Sequence, residues 1–333
     1  PTPFGTLFTG MIFANLFYWC TNQYVIQRTL AAKNLAEGQK GVLLSGFFKV
    51  LVPFIMMIPG VVAFHLYGPV GSEGGLPSID LAYPQLVRDV LPTYAMGFFL
   101  AVLLGVVFSS FNSLLNSAAT LFCLDIYLPL KERQGAPAVE DKQLIKVAKR
   151  ASVVIALFSF VVAPMLQFAP EGLWQIIRIF TGFYNIPVIA IVIVGLFPRR
   201  VPALAAKLAI VFHVITYGLL KFVFDDWVTI HFLHLYAILF VIEVAMMLVI
   251  GQLYPRDKAW SFERSDKLDL RSWRYAMPCA LTLASSVTGL YLLFSPIGLV
   301  DGISVAFWPL ILTLVGINIL AWWNAGRRKF AQI

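Results

Sequence analysis

Apolar residues along this chain gather into long runs that are separated by shorter polar connectors. Most runs are about 20 residues long, which is the length that a helix needs to cross roughly 30 Å of hydrocarbon. Because hydrocarbon offers no water to backbone groups, a segment that crosses it satisfies them internally as a helix. The pattern predicts an all-α polytopic membrane protein with nine spans, at about 5–26, 41–66, 94–127, 148–168, 173–197, 203–224, 230–252, 275–295 and 303–324.

The composition excludes a soluble protein. Of the 333 residues, 59% are hydrophobic and only 13% are charged, against about 25% charged in a typical soluble domain. A soluble fold with this composition would expose far too much apolar surface. Three cysteines, Cys20, Cys123 and Cys279, fall in or beside apolar runs, and an odd number there predicts small packing residues rather than a disulfide framework.

The charged residues of the connectors predict the orientation. Segments 28–40, 131–150, 199–207, 256–274 and 327–329 hold 21 of the 25 Lys and Arg residues, all in alternate connectors or at the C-terminus. The opposite connectors carry acidic residues: Glu73, Asp80, Asp89, Glu171, Asp225, Asp226 and Asp301. Basic connectors stay in the cytoplasm, so we expect the C-terminus inside and Pro1 and residues 68–93 outside. This alternation also excludes a nucleic-acid footprint, which would collect basic charge on one folded face.

Two basic residues, Lys49 and Arg178, lie within predicted spans. A charge at a helix centre costs about 2.5–3.5 kcal/mol on insertion scales, and such residues commonly line a transport path. Lys49 is too deep to reach the interface easily, but it could instead form a structural ion pair. Arg178 is only about five residues from the outer end of its span, so it could also extend to the interface.

A polar stripe marks the third span, in the segment FSSFNSLLNSAAT at 108–120. Ser109, Ser113, Asn116, Ser117 and Thr120 share one helical face. Small polar residues often only allow helices to approach closely in a membrane. Alternatively, the adjacent hydroxyls of Ser109 and Ser110 could bind a small hard cation such as sodium, whose single charge needs no carboxylate.

The first span carries amide and aromatic side chains on one face. Asn15, Tyr18, Trp19 and Asn22 follow the i, i+3, i+4, i+7 spacing. A flat apolar ring beside hydrogen-bonding amides is what a sugar needs from its binding site. The alternative is an interfacial aromatic belt, although these residues lie deep for an outer belt.

The sequence contains no constellation typical of an enzyme. The four histidines lack metal-ligand spacing apart from the pair His231 and His234, which the pattern favours as interfacial. Glu243 lies within the seventh span, where no neighbouring basic residue is evident from the sequence, and we interpret it as a protonated packing residue. A membrane-embedded enzyme is therefore disfavoured.

Three segments carry a resemblance to a known family. They are ANLFYWCTNQYVIQRTLAAKNLAEGQKG (14–41), AYPQLVRDVLP (82–92) and FSSFNSLLNSAATLFCLDIY (108–127). They resemble the sodium/solute symporter family, most closely its sodium/glucose and sodium/galactose members, and the match runs in register over most of the first 200 residues.

The resemblance implies the leucine-transporter-type fold of two inverted five-helix repeats plus peripheral helices. Residues 1–200 would form the second repeat, with an extracellular lid at 68–93, and residues 201–333 the peripheral helices. The chain starts Pro-Thr-Pro with neither an initiator Met nor a signal-peptide pattern. We therefore expect the numbering to begin inside a longer chain whose first repeat is missing here.

The resemblance also implies roles for individual residues in a plasma-membrane protein that couples uptake of a sugar or polyol to Na⁺. Asn15 and Lys49 would hydrogen-bond the solute, and Tyr18, with Trp19 beside it, would close the site from the cytoplasm. Ser109 and Ser110 would bind sodium through their hydroxyls, with the carbonyl of Val106 as a further ligand.

One position departs from the family pattern. Where sugar-transporting members carry Gln in a Tyr-Ile-Gln pattern, this chain has Ile176-Ile177-Arg178. Guanidinium only donates hydrogen bonds and adds a fixed charge. Arg178 could therefore adapt the site to an anionic solute such as a sugar acid, or pair with a carboxylate of the missing repeat. A non-transporting solute sensor on the same fold, and a chain inactive without its other half, are the remaining alternatives.

Overall fold

The computed structural model describes residues 3–72, 74–135, 139–168, 173–261, 269–300 and 302–327. Within these ranges it contains helices and connectors but no β-strand. The helices are α1 (Gly10–Cys20), α2 (Gln23–Leu30), α3 (Leu35–Tyr67), α4 (Ala82–Val90), α5 (Thr93–Leu121), α6 (Leu128–Arg133), α7 (Asp141–Val162), α8 (Leu173–Leu196), α9 (Ala203–Gly218), α10 (Phe232–Leu253), α11 (Ala276–Leu293) and α12 (Phe307–Arg327). Some charged residues used to predict the orientation lie outside the described ranges: Glu73, Glu171, Arg264, Lys267, Asp301, Arg328 and Lys329.

Seven helical segments of the described chain are long and apolar enough to cross a membrane. They are Leu35–Tyr67, Thr93–Arg133, Leu173–Leu196, Ala203–Val223, Phe232–Leu253, Ala276–Leu293 and Phe307–Arg327. Short π-helical turns after α5 and α9 extend two of them. The seven match seven of the nine predicted spans, and the all-α polytopic membrane prediction is confirmed.

The first and fourth predicted spans take other forms. The first is divided: a 3₁₀ turn at Phe4–Phe8 precedes the 11-residue helix α1, which ends two residues before α2 begins. The fourth corresponds to α7, which carries four basic residues in its first ten positions and continues as a 3₁₀ turn from Ala163. Charge at one end and the change of helix type at the other shorten its apolar part.

The chain divides into two compact units. The first comprises Pro1–Gln27, Ser78–Asp80 and Val90–Glu263, and the second Arg28–Pro77, Leu81–Asp89 and Arg264–Ile333. The first unit therefore holds α1 and α5 to α10, and the second holds α3, α4, α11 and α12, while α2 crosses the boundary. This division follows contacts between helices, whereas the predicted boundary near residue 200 separates a repeat from peripheral helices, so that boundary stays a prediction.

Helix α8 is the centre of the first unit. It packs against α1, α9 and α10, and its residues Ile186 and Ala190 are fully buried. Two glycines allow α1 and α8 to approach α10 closely. A Cβ on Gly10 would lie 1.7 Å from the Leu233 backbone oxygen, and one on Gly182 would lie 2.3 Å from the Tyr236 hydroxyl. In the same unit, α5 packs against α7.

The second unit is built on α3, which packs against α11, and α11 in turn packs against α12. Asn34 caps α3 by accepting a 2.9 Å hydrogen bond from the Glu37 amide, and this satisfies one of the amides left free at a helix start. The amide of Trp273 donates to Gln39 Oε1 at 2.7 Å. These contacts fix the polar end of α3 to the segment that leads into α11.

Candidate functional site

The candidate solute residues of the first span lie on α1, just before a break in the helix. The carbonyl of Phe17 accepts hydrogen bonds from the amides of Thr21 and Asn22, both at 3.0 Å, and from the Thr21 hydroxyl at 2.9 Å. Helix α1 therefore ends at Cys20, and α2 starts at Gln23. The predicted shared face is kept by residues 15, 18 and 19, whereas Asn22 lies in the break itself.

Tyr18 is tied across this break. Its hydroxyl lies 2.7 Å from the hydroxyl of Tyr24 on α2, and the two rings meet edge to face at 5.9 Å. Trp19 lies edge to face with Tyr18 at 5.7 Å. The three rings form one aromatic group around the α1–α2 break, so a movement of α2 relative to α1 would move Tyr18.

Arg178 lies on α8 where that helix faces α1. It is partly buried, and its Nη2 is 3.2 Å from the sulfur of Met11. Its guanidinium carbon lies 5.2 Å from the ring centre of Trp174. The described residues place no carboxylate within ion-pair distance of this guanidinium. A thioether and an aromatic face satisfy little of its hydrogen-bonding capacity, so the group is available to bind an acceptor.

Asn15 and Arg178 are brought to the same part of the first unit. The Asn15 amide donates to the Met11 carbonyl at 2.9 Å, while Arg178 contacts the Met11 side chain. A ring contact between Phe17 of α1 and Tyr184 of α8, at 5.6 Å, joins the two helices six residues further along each. Asn15, Tyr18, Trp19 and Arg178 therefore lie on two neighbouring, packed helices.

The candidate sodium ligands lie on α5. Ser109 and Ser110 are exposed, and Val106 is 58% exposed. The Ser113 hydroxyl donates to the Ser109 carbonyl at 2.9 Å, so that oxygen already has a side-chain partner. Further along the helix, Ser117 is buried. Ser117 is the one buried residue of the stripe, whereas Asn116 beside it is exposed, and the candidate ligands lie at exposed positions.

Lys49 lies on α3 in the second unit, where it is exposed. The other candidate residues, on α1, α5 and α8, belong to the first unit. Its predicted role as a donor to the solute stays a prediction.

Sequence reasoning missed a buried pair formed by His213 of α9 and Glu243 of α10. Both side chains are fully buried, and His213 Nδ1 is hydrogen-bonded with Glu243 Oε1. The other ring nitrogen, Nε2, lies 3.1 Å from the carbonyl oxygen of Gly182 on α8. A signal was present, because both residues lie near the centres of consecutive spans that run in opposite directions. Equal depth in adjacent spans could have identified His213 as the basic partner of Glu243.

Comparison with known proteins identifies the family of this chain. The model of the sodium:solute symporter family matches residues 3–212. The Escherichia coli (strain K12) protein named uncharacterized symporter YidK is 42% identical over 293 residues, which cover 87% of this chain and 49% of that protein. The sodium/glucose cotransporter of Vibrio parahaemolyticus is 36% identical over 218 residues, covering 62% of this chain and 39% of the relative.

A human protein is also similar to this chain. Sodium/myo-inositol cotransporter 2 of Homo sapiens is 35% identical over 209 residues, which cover 59% of this chain and 30% of that protein. The chain therefore spans about half or less of the length of these relatives. With 210 of its 333 residues inside the family model, this multi-pass membrane chain belongs to the sodium:solute symporter family.

Proposed function

We propose that this chain supplies one side of the binding site of a sodium-coupled symporter for a sugar or a related polyol. The observation that carries the proposal is the placement of an amide, two aromatic rings and a guanidinium on the packed helices α1 and α8, at Asn15, Tyr18, Trp19 and Arg178. Rings and hydrogen-bonding groups together suit a polyhydroxylated solute. The names of the relatives, sodium/glucose and sodium/myo-inositol cotransporters, support the same solute class.

The sodium ion would bind at the exposed positions of α5 around Ser109 and Ser110. Ser109 and Ser110 offer two hydroxyl oxygens and Val106 a carbonyl oxygen. A small cation bound in a membrane protein needs more oxygen ligands than three, so the exposed face would receive further ligands from a preceding repeat, which we propose completes both sites. Each ligand must then raise the affinity for the other by the same factor.

Alternating access follows from the same arrangement. Bound sodium would hold α5 against the preceding repeat and favour the state that is open to the outside. Release of sodium to the cytoplasm would free the aromatic group of Tyr18, Trp19 and Tyr24 at the α1–α2 break. In this proposal the C-terminus is cytoplasmic and the protein lies in the plasma (inner) membrane, as the basic connectors predict.

A second candidate is an anionic solute such as a sugar acid. The specific observation in its favour is Arg178, whose guanidinium has no carboxylate partner among the described residues. A carboxylate on the solute would supply two acceptors that match the guanidinium fork.

Uptake into proteoliposomes separates these candidates. The protein that carries this chain is reconstituted with an inward sodium gradient, and uptake of a labelled hexose or myo-inositol is competed with neutral sugars, polyols and uronates. Sodium-dependent uptake that neutral sugars or polyols compete supports the first candidate, and competition by uronates alone supports the second. Solute binding without uptake would contradict symport in favour of a sensor. The 333-residue chain is assayed in parallel with and without the preceding repeat, and activity without it would contradict the shared site.

A further inference from the structure

Three side chains of α9 and α10 donate hydrogen bonds to backbone carbonyls of α8. The Tyr236 hydroxyl donates to the carbonyl of Arg178, and the Tyr217 hydroxyl donates to that of Ile179 at 3.2 Å. His213 Nε2 lies 3.1 Å from the carbonyl of Gly182. We call these three donors the carbonyl clamp. All three acceptors fall within five residues, and the first of them belongs to the candidate solute residue Arg178.

The clamped segment of α8 ends shortly before a proline within the helix. Pro187 follows five residues after Gly182, is fully buried, and has no amide hydrogen to donate back to the preceding turn. The carbonyl that loses its helical donor is that of Phe183, four residues before Pro187. Donors from α9 and α10 therefore hold the turn of α8 that ends directly before this carbonyl.

The clamp depends on Glu243 because both ring nitrogens of His213 are hydrogen-bonded, Nε2 to the Gly182 carbonyl and Nδ1 to Glu243. A neutral imidazole carries only one N–H. If Nε2 donates to the Gly182 carbonyl, Nδ1 must accept, and the hydrogen between Nδ1 and Glu243 must then come from a protonated carboxyl group. The second carboxyl oxygen, Oε2, is buried and accepts no hydrogen bond from the described residues. This favours the uncharged form, since an unpartnered carboxylate oxygen in a buried site is costly.

The result is a directed relay from Glu243 through His213 to the Gly182 carbonyl. The charged and titratable groups near it are Tyr217 on α9, Tyr236 on α10 and Arg178 on α8. His213 also stacks on Tyr217, with ring centres 5.6 Å apart, and Tyr217 and Tyr236 lie 5.7 Å apart. The relay and the two tyrosines thus form one packed group that reaches α8 from a single side.

We propose that Glu243 and His213 are positioning residues for the solute site: together with Tyr217 and Tyr236 they hold residues 178–182 of α8 and so fix where Arg178 presents its guanidinium. The inference rests on the proposed function, in which Arg178 contacts the solute. It also assigns a role in solute binding to α9 and α10, which the sequence predicts to be peripheral helices. A displacement of about 1 Å at a binding group is enough to change affinity strongly.

The experiment compares two substitutions of Glu243 in the protein that carries this chain, assayed as sodium-driven uptake. In Glu243→Gln the side-chain amide can donate to His213 Nδ1, so the relay is preserved without an ionisable group. In Glu243→Leu the volume is roughly kept and the relay is lost. We expect Glu243→Leu to raise the KM for the solute about tenfold, as for loss of one buried hydrogen bond, with little change in the maximal rate per protein molecule. Glu243→Gln should stay within about twofold of the wild type.

Two further variants complete the test. Tyr236→Phe removes the hydroxyl that donates to the Arg178 carbonyl but keeps the ring beside Gly182, and it should also raise the KM. It tests the clamp even if Glu243→Leu does not accumulate in the membrane. Ile242→Leu, at the neighbouring exposed position of α10, is the matched control and should behave as the wild type.

The outcomes are distinct. If Glu243→Leu and Tyr236→Phe keep the wild-type KM, or if Glu243→Gln is as impaired as Glu243→Leu, the positioning role is wrong. A fall in abundance and maximal rate at constant KM would show a purely structural pair and would also overturn it. If the wild type itself shows no sodium-dependent uptake, the proposed function fails, and the inference fails with it for that separate reason.

Discussion

Two regions of the first unit treat their polar groups in opposite ways. In the bundle of α8, α9 and α10, the buried polar side chains of His213, Tyr217 and Tyr236 hydrogen-bond within the chain. On α5, by contrast, Ser109 and Ser110 are exposed. In the proposed function, the solute-binding side is held together within this chain, whereas the proposed cation-binding side would take further ligands from elsewhere. Substitutions should therefore act on the bundle through packing and position, and on α5 through loss of a ligand.

The largest expected effect is on α5. Ser110→Ala removes one proposed hydroxyl ligand of sodium from an exposed position where it contributes little to packing. We expect sodium-dependent uptake to be abolished or the sodium half-saturation constant to rise at least about tenfold, since a ligand to a charged group contributes more than a neutral hydrogen bond. The measurement is uptake against sodium concentration, with protein in the membrane quantified in parallel.

Thr120→Val is the matched control for this prediction. Thr120 lies on the same helix, and its hydroxyl donates to the Asn116 carbonyl at 2.8 Å within the helix itself. Its loss should leave the sodium dependence unchanged. Undiminished sodium dependence in Ser110→Ala would contradict the proposed sodium site at Ser109 and Ser110.

The next largest effect tests the close packing of α1 against α10 at Gly10. Gly10→Ala places a Cβ 1.7 Å from the Leu233 backbone oxygen, so α1 must move away from α10. We expect a loss of stability of about 1–3 kcal/mol or more, as for overpacking of a core. Gly105→Ala on α5 is the control, since a Cβ there meets nothing within 4 Å. Thermal unfolding in detergent measures both, and equal melting temperatures would contradict the close α1–α10 packing.

A smaller effect is expected for the solute preference. Arg178→Gln removes the fixed charge while keeping hydrogen-bond donors and adding an acceptor. Neutral sugars and polyols should then compete equally well or better, and any uronate competition should fall about tenfold, the loss of a charge-assisted pair. Unchanged uronate competition would show that Arg178 does not read the charge of the solute.

The sequence predicted the broad fold well because hydrophobic length is a direct physical requirement of the membrane. Seven predicted spans correspond to helices with the required length and apolar character. The broken first span was not predicted, since Thr21 and Asn22 are tolerated within a continuous helix as well as in a break. The choice depends on tertiary packing around Phe17, which periodicity does not report.

The candidate site was predicted less completely, for a different reason. Face periodicity placed Asn15, Tyr18 and Trp19 together on α1, but it gave no information about which helix they meet. The packing against Arg178 through Met11 and the pairing of His213 with Glu243 join residues that are 167 and 30 positions apart. Such pairings depend on which spans become neighbours, and a single sequence carries only weak signals of that.

The smallest effect concerns an exposed hydrogen bond in the second unit, between Tyr67 and Asp89. Its contribution to stability can be compared with that of the buried hydrogen bonds in the first unit. Hydrogen bonds from Tyr67, and then from Gln85, hold the pKa of the Asp89 carboxyl below its usual range. A lowered pKa in the folded state means that the contact stabilises the fold above the unfolded pKa of about 3.9 and loses this contribution as the pH falls further. Protease cleavage of the 68–93 connector should therefore increase modestly as the pH falls below about 4.

Tyr67→Phe removes the main hydrogen-bond donor to Asp89. The connector of this variant should be cleaved slightly faster at neutral pH, and its cleavage should change less with pH. If the wild type and Tyr67→Phe show the same pH dependence, the Tyr67–Asp89 contact does not hold the connector, and exposed pairing contributes nothing measurable beside the buried clamp.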